Sequence, residues 1–164
     1  DYTDNNISFD TKEYFIELKK LIDEYGFTNK EFILELGCYL VASAGYYLSK
    51  IVDIKESKGY KHIILAGGLN HIPTATLNGK HPFKIISMNQ KKLYANQIEV
   101  IDEIVDIDGP LCTAEDKVLW DVYVEKAQIG DIVIIRQAGA YCYSAAWLEF
   151  LSHEYPVELI INNK

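Results

Sequence analysis

The chain has 164 residues, 49% of them apolar, and a formal charge of −8. This is the composition of one globular domain with a sizeable core. The acidic balance excludes partners that need a basic patch, namely nucleic acid and anionic membrane. In chain order, "FDTKEYFIELKKLIDEYGF" (9–27) predicts an amphipathic helix. Tyr14, Phe15, Leu18, Leu21, Ile22 and Tyr25 recur at spacings of three and four. Asp10 is its N-cap and Glu13 the capping-box partner, while Gly26 is its stop. "EFILELG" (31–37) predicts a short strand buried on both faces, so helix and strand make one step of a parallel sheet or barrel.

From residue 46 onward the pattern is that of short strands separated by Gly, Asn, Asp and Pro. Strands are predicted at 46–56, 62–68, 83–88, 98–107, 121–126, 131–137 and 157–162. "SKGYK" and "QIGD" are turns, and "AYCYSAAWLEFLS" (140–152) is the one later helix candidate. The expected fold is therefore mainly β, an antiparallel sandwich or barrel, preceded by an αβ segment. That segment cannot cover both faces of its own strand and should belong to something larger. The polar opening "DYTDNN", without an initiator Met, reads as an internal start, as in a processed chain or a fragment. No apolar run reaches the roughly 18–20 residues of a membrane span. No secretory signal is present. The three cysteines, Cys38, Cys112 and Cys142, have no CxxC spacing. A disulfide framework or zinc site is not indicated, and a reducing, cytoplasmic compartment is expected.

Four stretches could carry chemistry. "ELGCYLVASAG" (35–45) puts Glu35 at the end of the predicted parallel strand, where ligands bind in α/β architectures. A carboxylate capped by backbone amides at a strand terminus is the commoner fate of such a residue. "AGGLNHIPTATLNG" (66–79) has a glycine pair suited to close backbone approach, and His71. A satisfied structural histidine is the commoner fate of such a residue. "GPLCTAED" (109–116) turns at Gly109-Pro110 and sets Cys112 in a loop with Glu115 and Asp116. Its thiol suits acid, base or nucleophile chemistry if exposed, and core filling if buried. "AGAYCYSAA" (138–146) places Tyr141 between small residues before the candidate helix, an arrangement suited to holding phosphate or to plain aromatic packing. No P-loop or dinucleotide fingerprint is present.

In this order the four stretches resemble the C-terminal part of the fold type III pyridoxal-phosphate (PLP) decarboxylases, the diaminopimelate and ornithine decarboxylase family. "ELGCYLVASAG" stands for that family's Glu-Pro-Gly-Arg strand, "AGGLNHI" for its Gly-Gly-Met-Asn stretch, "GPLC" for Gly-Pro-x-Cys and "AGAY" for Ala-Gly-Ala-Tyr. The ending "FLSHEYPVELII" resembles the subgroup acting beside biosynthetic clusters, some on carrier-linked or derivatised amino acids.

The resemblance implies that residues 1–40 are the last helix and strand of a PLP-binding (β/α)₈ barrel. Residues 41–164 would then be the family's C-terminal β-domain. The barrel carries the lysine that links the cofactor, and no lysine here sits in a matching context. By the same resemblance Glu35 pairs with the pyridinium nitrogen, Gly37 and Cys38 lie at the cofactor, and Tyr141 reaches its phosphate. Cys112 enters a partner subunit's site and handles the proton at Cα. Thr113 and Asp116 read the far end of an amino-acid substrate, and the protein is a homodimer.

The departures are specific. Cys38 replaces the motif arginine and Leu36 the motif proline. Thr113 stands where diaminopimelate enzymes have an acid, and Thr74 and Asn78 fall near their Arg and Tyr. Arg136, the only arginine, replaces none of these. Diaminopimelate is thus not the expected substrate, and an inactive homologue kept for dimerisation or regulation is the alternative reading.

Overall fold

The computed structural model describes residues 9–73, 81–88 and 97–162. They divide into two compact units, one ending at Leu36 and the next beginning at Gly37. The first holds helix α1, Thr11–Glu24. Asp10 caps it as expected, its carboxylate accepting from the N–H groups of Lys12 and Glu13 at 2.9 and 3.0 Å. At the other end Gly26 (φ +72) donates to the Asp23 carbonyl and Phe27 to that of Ile22. These two bonds form a Schellman stop, with Phe27 and Ile22 as its apolar pair.

Residues 31–36 do not form the predicted strand. A parallel strand takes its hydrogen bonds and its cover from neighbouring strands, and none is present in this unit among the described residues. Phe32, Ile33 and Leu34 stay exposed instead, Ile33 at 77%. Phe15, Leu18, Lys19, Ile22, Phe32 and Leu34 line an open groove of about 430 Å³.

The second unit begins with the short helix α2, Gly37–Val41, and a 3₁₀ turn over Ala42–Ala44. Six strands follow: β1 (Tyr46–Ser57), β2 (Tyr60–Leu65), β3 (Phe83–Ile86), β4 (Val100–Asp108), β5 (Lys117–Ala127) and β6 (Ile132–Arg136). They form one sheet in the order β3-β6-β1-β2-β4-β5. Its inward residues, among them Ile51, Ile63, Val105, Ile107, Leu119 and Ile135, join in one cluster with no solvent exposure. A single sheet can surround such a core only by curling on itself, which gives the domain its barrel-like form.

The curl is built into β1, which pairs with β6 over residues 46–50 and with β2 over 51–57. At the start of the ladder with β2 the register slips between Ile51 and Asp53. Such a bulge bends the strand and raises its twist. It turns Val52 outward (45% exposed) while Ile51 and Ile54 both point to the core.

Three further expectations need correction. The sheet is mixed, because β2 and β4 run parallel. The long connection between them, which contains β3, returns the chain in the same direction. Residues 157–162 form no strand: Val157, Leu159, Ile160 and Ile161 are each more than 80% exposed and find no ladder among the described residues. Residues 140–152 form turns ending in a 3₁₀ turn at Phe150–Ser152, not a helix. Left-handed backbone at Tyr141, Leu151 and Ser152 interrupts any helical run there.

On β2 and β4, His62, Asp106 and Asp108 bring ligand-type atoms within 4.8 Å of one another. Lys117 already pairs with Asp106, so the group is an ion-pair network. Burial would raise the Asp106 pKa, but the Lys117 ammonium and the Asp121 N–H outweigh it and hold the carboxyl below its ordinary value. A depressed carboxyl contributes stability above its unfolded pKa of 3.8 and loses it as pH falls through the lower folded value. Asp106→Ala should therefore cost about 1–3 kcal/mol at pH 7. Chemical denaturation across pH checks this: the gap to the wild type should close only below pH 3.8.

Candidate functional site

The four stretches come together as two interlocked pairs. In the first, "GCYLVASAG" and "AGAY" meet through backbone. Gly139 N–H donates to the Ala42 carbonyl and Ala138 N–H to that of Gly45, both at 2.9 Å. The approach is so close that a Cβ on Gly45 would overlap the backbone of 138–139, and one on Gly139 the Val41 carbonyl. Tyr141 follows at φ +62, and the Ala145 N–H turns back onto its carbonyl at 3.1 Å. Its ring is half-exposed, and its hydroxyl lies beside Gly37, where a Cβ would come within 2.9 Å of it. Among the described residues nothing hydrogen-bonds that hydroxyl.

The second pair joins "AGGLNH" to "GPLCTAED", the loop between β4 and β5. The Asp116 carboxylate accepts from the Leu69 N–H through Oδ1 and from the Leu111 N–H through Oδ2, each at 2.6 Å. Gly109 N–H donates to the Asp116 carbonyl at 2.8 Å. Cβ atoms on Gly68 and Gly109 would overlap the carboxylate, so the glycine pair serves this contact. Asp116 is 3% exposed. Its carboxylate faces inward and not toward the exposed side of the loop, where a substrate contact was expected. Burial raises its pKa against the two N–H groups that favour the charge, with Asp108 adding to the rise.

Cys112 is exposed, which removes the core-filling reading of its thiol. Thr113 is partly exposed, and its hydroxyl donates to Glu115, holding that carboxyl below its ordinary range. Leu111 is buried beneath the loop. Cys38 lies in α2, and Cys142 packs against the core. Glu35 is exposed and belongs to the first unit, whereas Gly37, Cys38, Cys112, Thr113, Asp116 and Tyr141 belong to the second. Thr74 and Asn78 lie outside the described residues.

Other residues also hold the two loop pairs in place. His71 bonds through Nε2 to the Glu154 carbonyl at 3.0 Å and through Nδ1 to the Tyr47 hydroxyl at 3.1 Å. A carbonyl only accepts, so Nε2 carries the proton and Nδ1 accepts from Tyr47. Both nitrogens are thus committed, and His71 is structural. Burial pushes the Tyr47 hydroxyl up to about 12, so it remains the donor. Trp147 N–H reaches the Leu69 carbonyl at 3.2 Å, which ties the stretch after "AGAY" to the loop of the second pair. Tyr47 and Trp147 offered no signal in the sequence beyond aromatic character.

Comparison with known proteins agrees with this arrangement. Residues 38–139 match the family model described as "Pyridoxal-dependent decarboxylase, C-terminal sheet domain". The L-glutamyl-[BtrI acyl-carrier protein] decarboxylase of Niallia circulans is 34% identical over 84% of this chain and 32% of its own length. The 2-[(L-alanin-3-ylcarbamoyl)methyl]-2-hydroxybutanedioate decarboxylase of Staphylococcus aureus is 29% identical over 94% of this chain and 39% of its own. The chain thus spans about a third of the length of these relatives. In fold, the Helicobacter pylori diaminopimelate decarboxylase crystallised with L-lysine superposes with a TM-score of 0.69, at 21% identity, over 91% of this chain and 34% of that one. With its curled sheet and its interlocked motif loops, the chain belongs to the pyridoxal-dependent decarboxylases and carries their C-terminal sheet domain.

Proposed function

We propose that this chain is the C-terminal part of a PLP-dependent amino-acid decarboxylase that acts on a derivatised or carrier-linked amino acid. The observation that carries the reading is Cys112: an exposed thiol on a loop pinned to a second motif loop. The relative that decarboxylates a carrier-linked glutamyl group supports the substrate class. The upstream (β/α)₈ barrel would hold the cofactor-linking lysine. The uncovered apolar residues of the first unit, with their open groove, support a missing neighbour of this kind.

The residues at hand fit the cofactor. A phosphate accepts hydrogen bonds, and Tyr141 offers a hydroxyl without a partner among the described residues beside the first turn of α2, where Gly37 and Cys38 stand. Cys38 supplies no guanidinium there, so the hydroxyl and backbone N–H groups would do the holding. Glu35 would accept from the protonated ring nitrogen. Bound PLP supplies an electron sink for the pair left on Cα when CO₂ departs. Cys112 then gives its thiol proton to Cα: the S–H bond breaks, the Cα–H bond forms, and solvent reprotonates the exposed thiolate. Thr113 would meet the far end of the substrate. The loop would serve a second subunit's site, making the enzyme a homodimer.

The test uses the intact protein. PLP titration should give the visible absorbance of bound cofactor. A panel of free and thioester-linked L-amino acids labelled at the carboxyl carbon should yield labelled CO₂ from a thioester-linked member. No cofactor absorbance would end the enzyme reading and leave the inactive homologue, which the loss of the arginine at Cys38 favours. CO₂ from free diaminopimelate alone would overturn the substrate class.

A further inference from the structure

We propose that Asp116 is a positioning residue whose buried carboxylate sets the place of the Cys112 thiol by tying loop 109–116 to loop 67–71. This rests on the proton-transfer role proposed for Cys112. An exposed side chain has little packing to fix its place, so Cys112 depends on its backbone. That backbone is fixed immediately before it: the Leu111 N–H is bound to Asp116 Oδ2, and the Leu111 side chain is buried. The other oxygen binds the Leu69 N–H of a different loop, which makes the carboxylate a bridge between the two. The loop closes on itself through Gly109 N–H to the Asp116 carbonyl and Thr113 N–H to that of Leu111. Only glycine at 68 and 109 leaves room for the bridge.

Two N–H donors converging from opposite sides need two acceptors. Asp supplies both in the volume available. Asn supplies one, and its NH₂ would face an N–H. Asp116→Asn therefore frees one loop from the other at nearly constant volume. Misplacement of a reacting group by about 1 Å costs on the order of 10²-fold in rate.

In the intact protein, Asp116→Asn should lower kcat by about 10²-fold and leave KM within about twofold, because the Asp116 carboxylate is buried and taken up by two backbone N–H groups. Val118→Ala, a buried change beside the loop that keeps these hydrogen bonds, should lower Tm yet leave kcat unchanged. Iodoacetamide labelling read by peptide mass spectrometry should show Cys112 alkylated faster in Asp116→Asn, with Cys38 and Cys142 unchanged. This arm needs no turnover, so it reads the bridge even if the decarboxylase reading fails. Wild-type hydrogen exchange, which needs no variant, should show the Leu69 and Leu111 amides protected despite lying in loops. Unprotected amides, unchanged Cys112 labelling, or an equal kcat loss in Val118→Ala would overturn the proposal.

Discussion

Cys112→Ala should lower kcat by about 10²–10⁴-fold, the range over which a positioned proton donor acts, while Tm stays within error of the wild type. Both halves follow from exposure. The thiol contributes little to the core, so truncating it opens no cavity, and surface changes of this kind are usually within about 0.5 kcal/mol. Steady-state kinetics and thermal melts on the intact protein check this together. Equal losses of activity and stability would instead mark the residue as structural. Serine should not restore the rate, because a hydroxyl keeps its proton far more tightly than a thiol near neutral pH.

The two loops around Cys112 show how sequence and structure divide the information. Glycine pairs announce close approach, and "AGGLNH" was readable as such. What approaches Gly68 was not readable, because the partner is the carboxylate of Asp116, far along the chain. The same separation hides the two backbone donors of Asp116, the N–H groups of Leu69 and Leu111, the first of them on another of the four stretches. His71 went the other way: its structural reading needed no partner to be named, and the structure supplies Glu154 and Tyr47.

Strands were legible in proportion to their neighbours. The periodicity of "DIVIIRQ" and "HIILAGG" suffices because β6 and β2 lie inside the sheet, each with a partner on both sides. "EFILELG" and "VELIIN" are similarly apolar and form no strand, since composition encodes a preference and a ladder needs a second chain segment. Parallel pairing of β2 with β4 depends on the path of a long connection, which no local pattern records. Resemblance contributed what spacing alone could not: the four stretches belong together, and the loop pairs now join them through short hydrogen bonds.

Gly139→Ala should be strongly damaging for a single added methyl in the second unit. The added Cβ would meet the Val41 carbonyl and the Gly45 N–H, both backbone, so no side-chain rotation relieves it. The chain must open there, and the Gly139 bond to Ala42 and the Ala138 bond to Gly45 are lost or lengthened. Overpacking of this kind typically costs about 1–3 kcal/mol, and each buried backbone group left unpaired adds about 1–3. A loss of about 3 kcal/mol or more is expected in denaturant unfolding. Tyr141 lies two residues on, in left-handed backbone, so its hydroxyl should move away from Gly37 when this contact opens. PLP affinity of the intact protein should therefore fall in Gly139→Ala by more than in Tyr141→Phe, which removes only the hydroxyl. If Gly139→Ala binds PLP as tightly as the wild type, the "AGAY" turn does not serve the phosphate, and that role must pass to other residues.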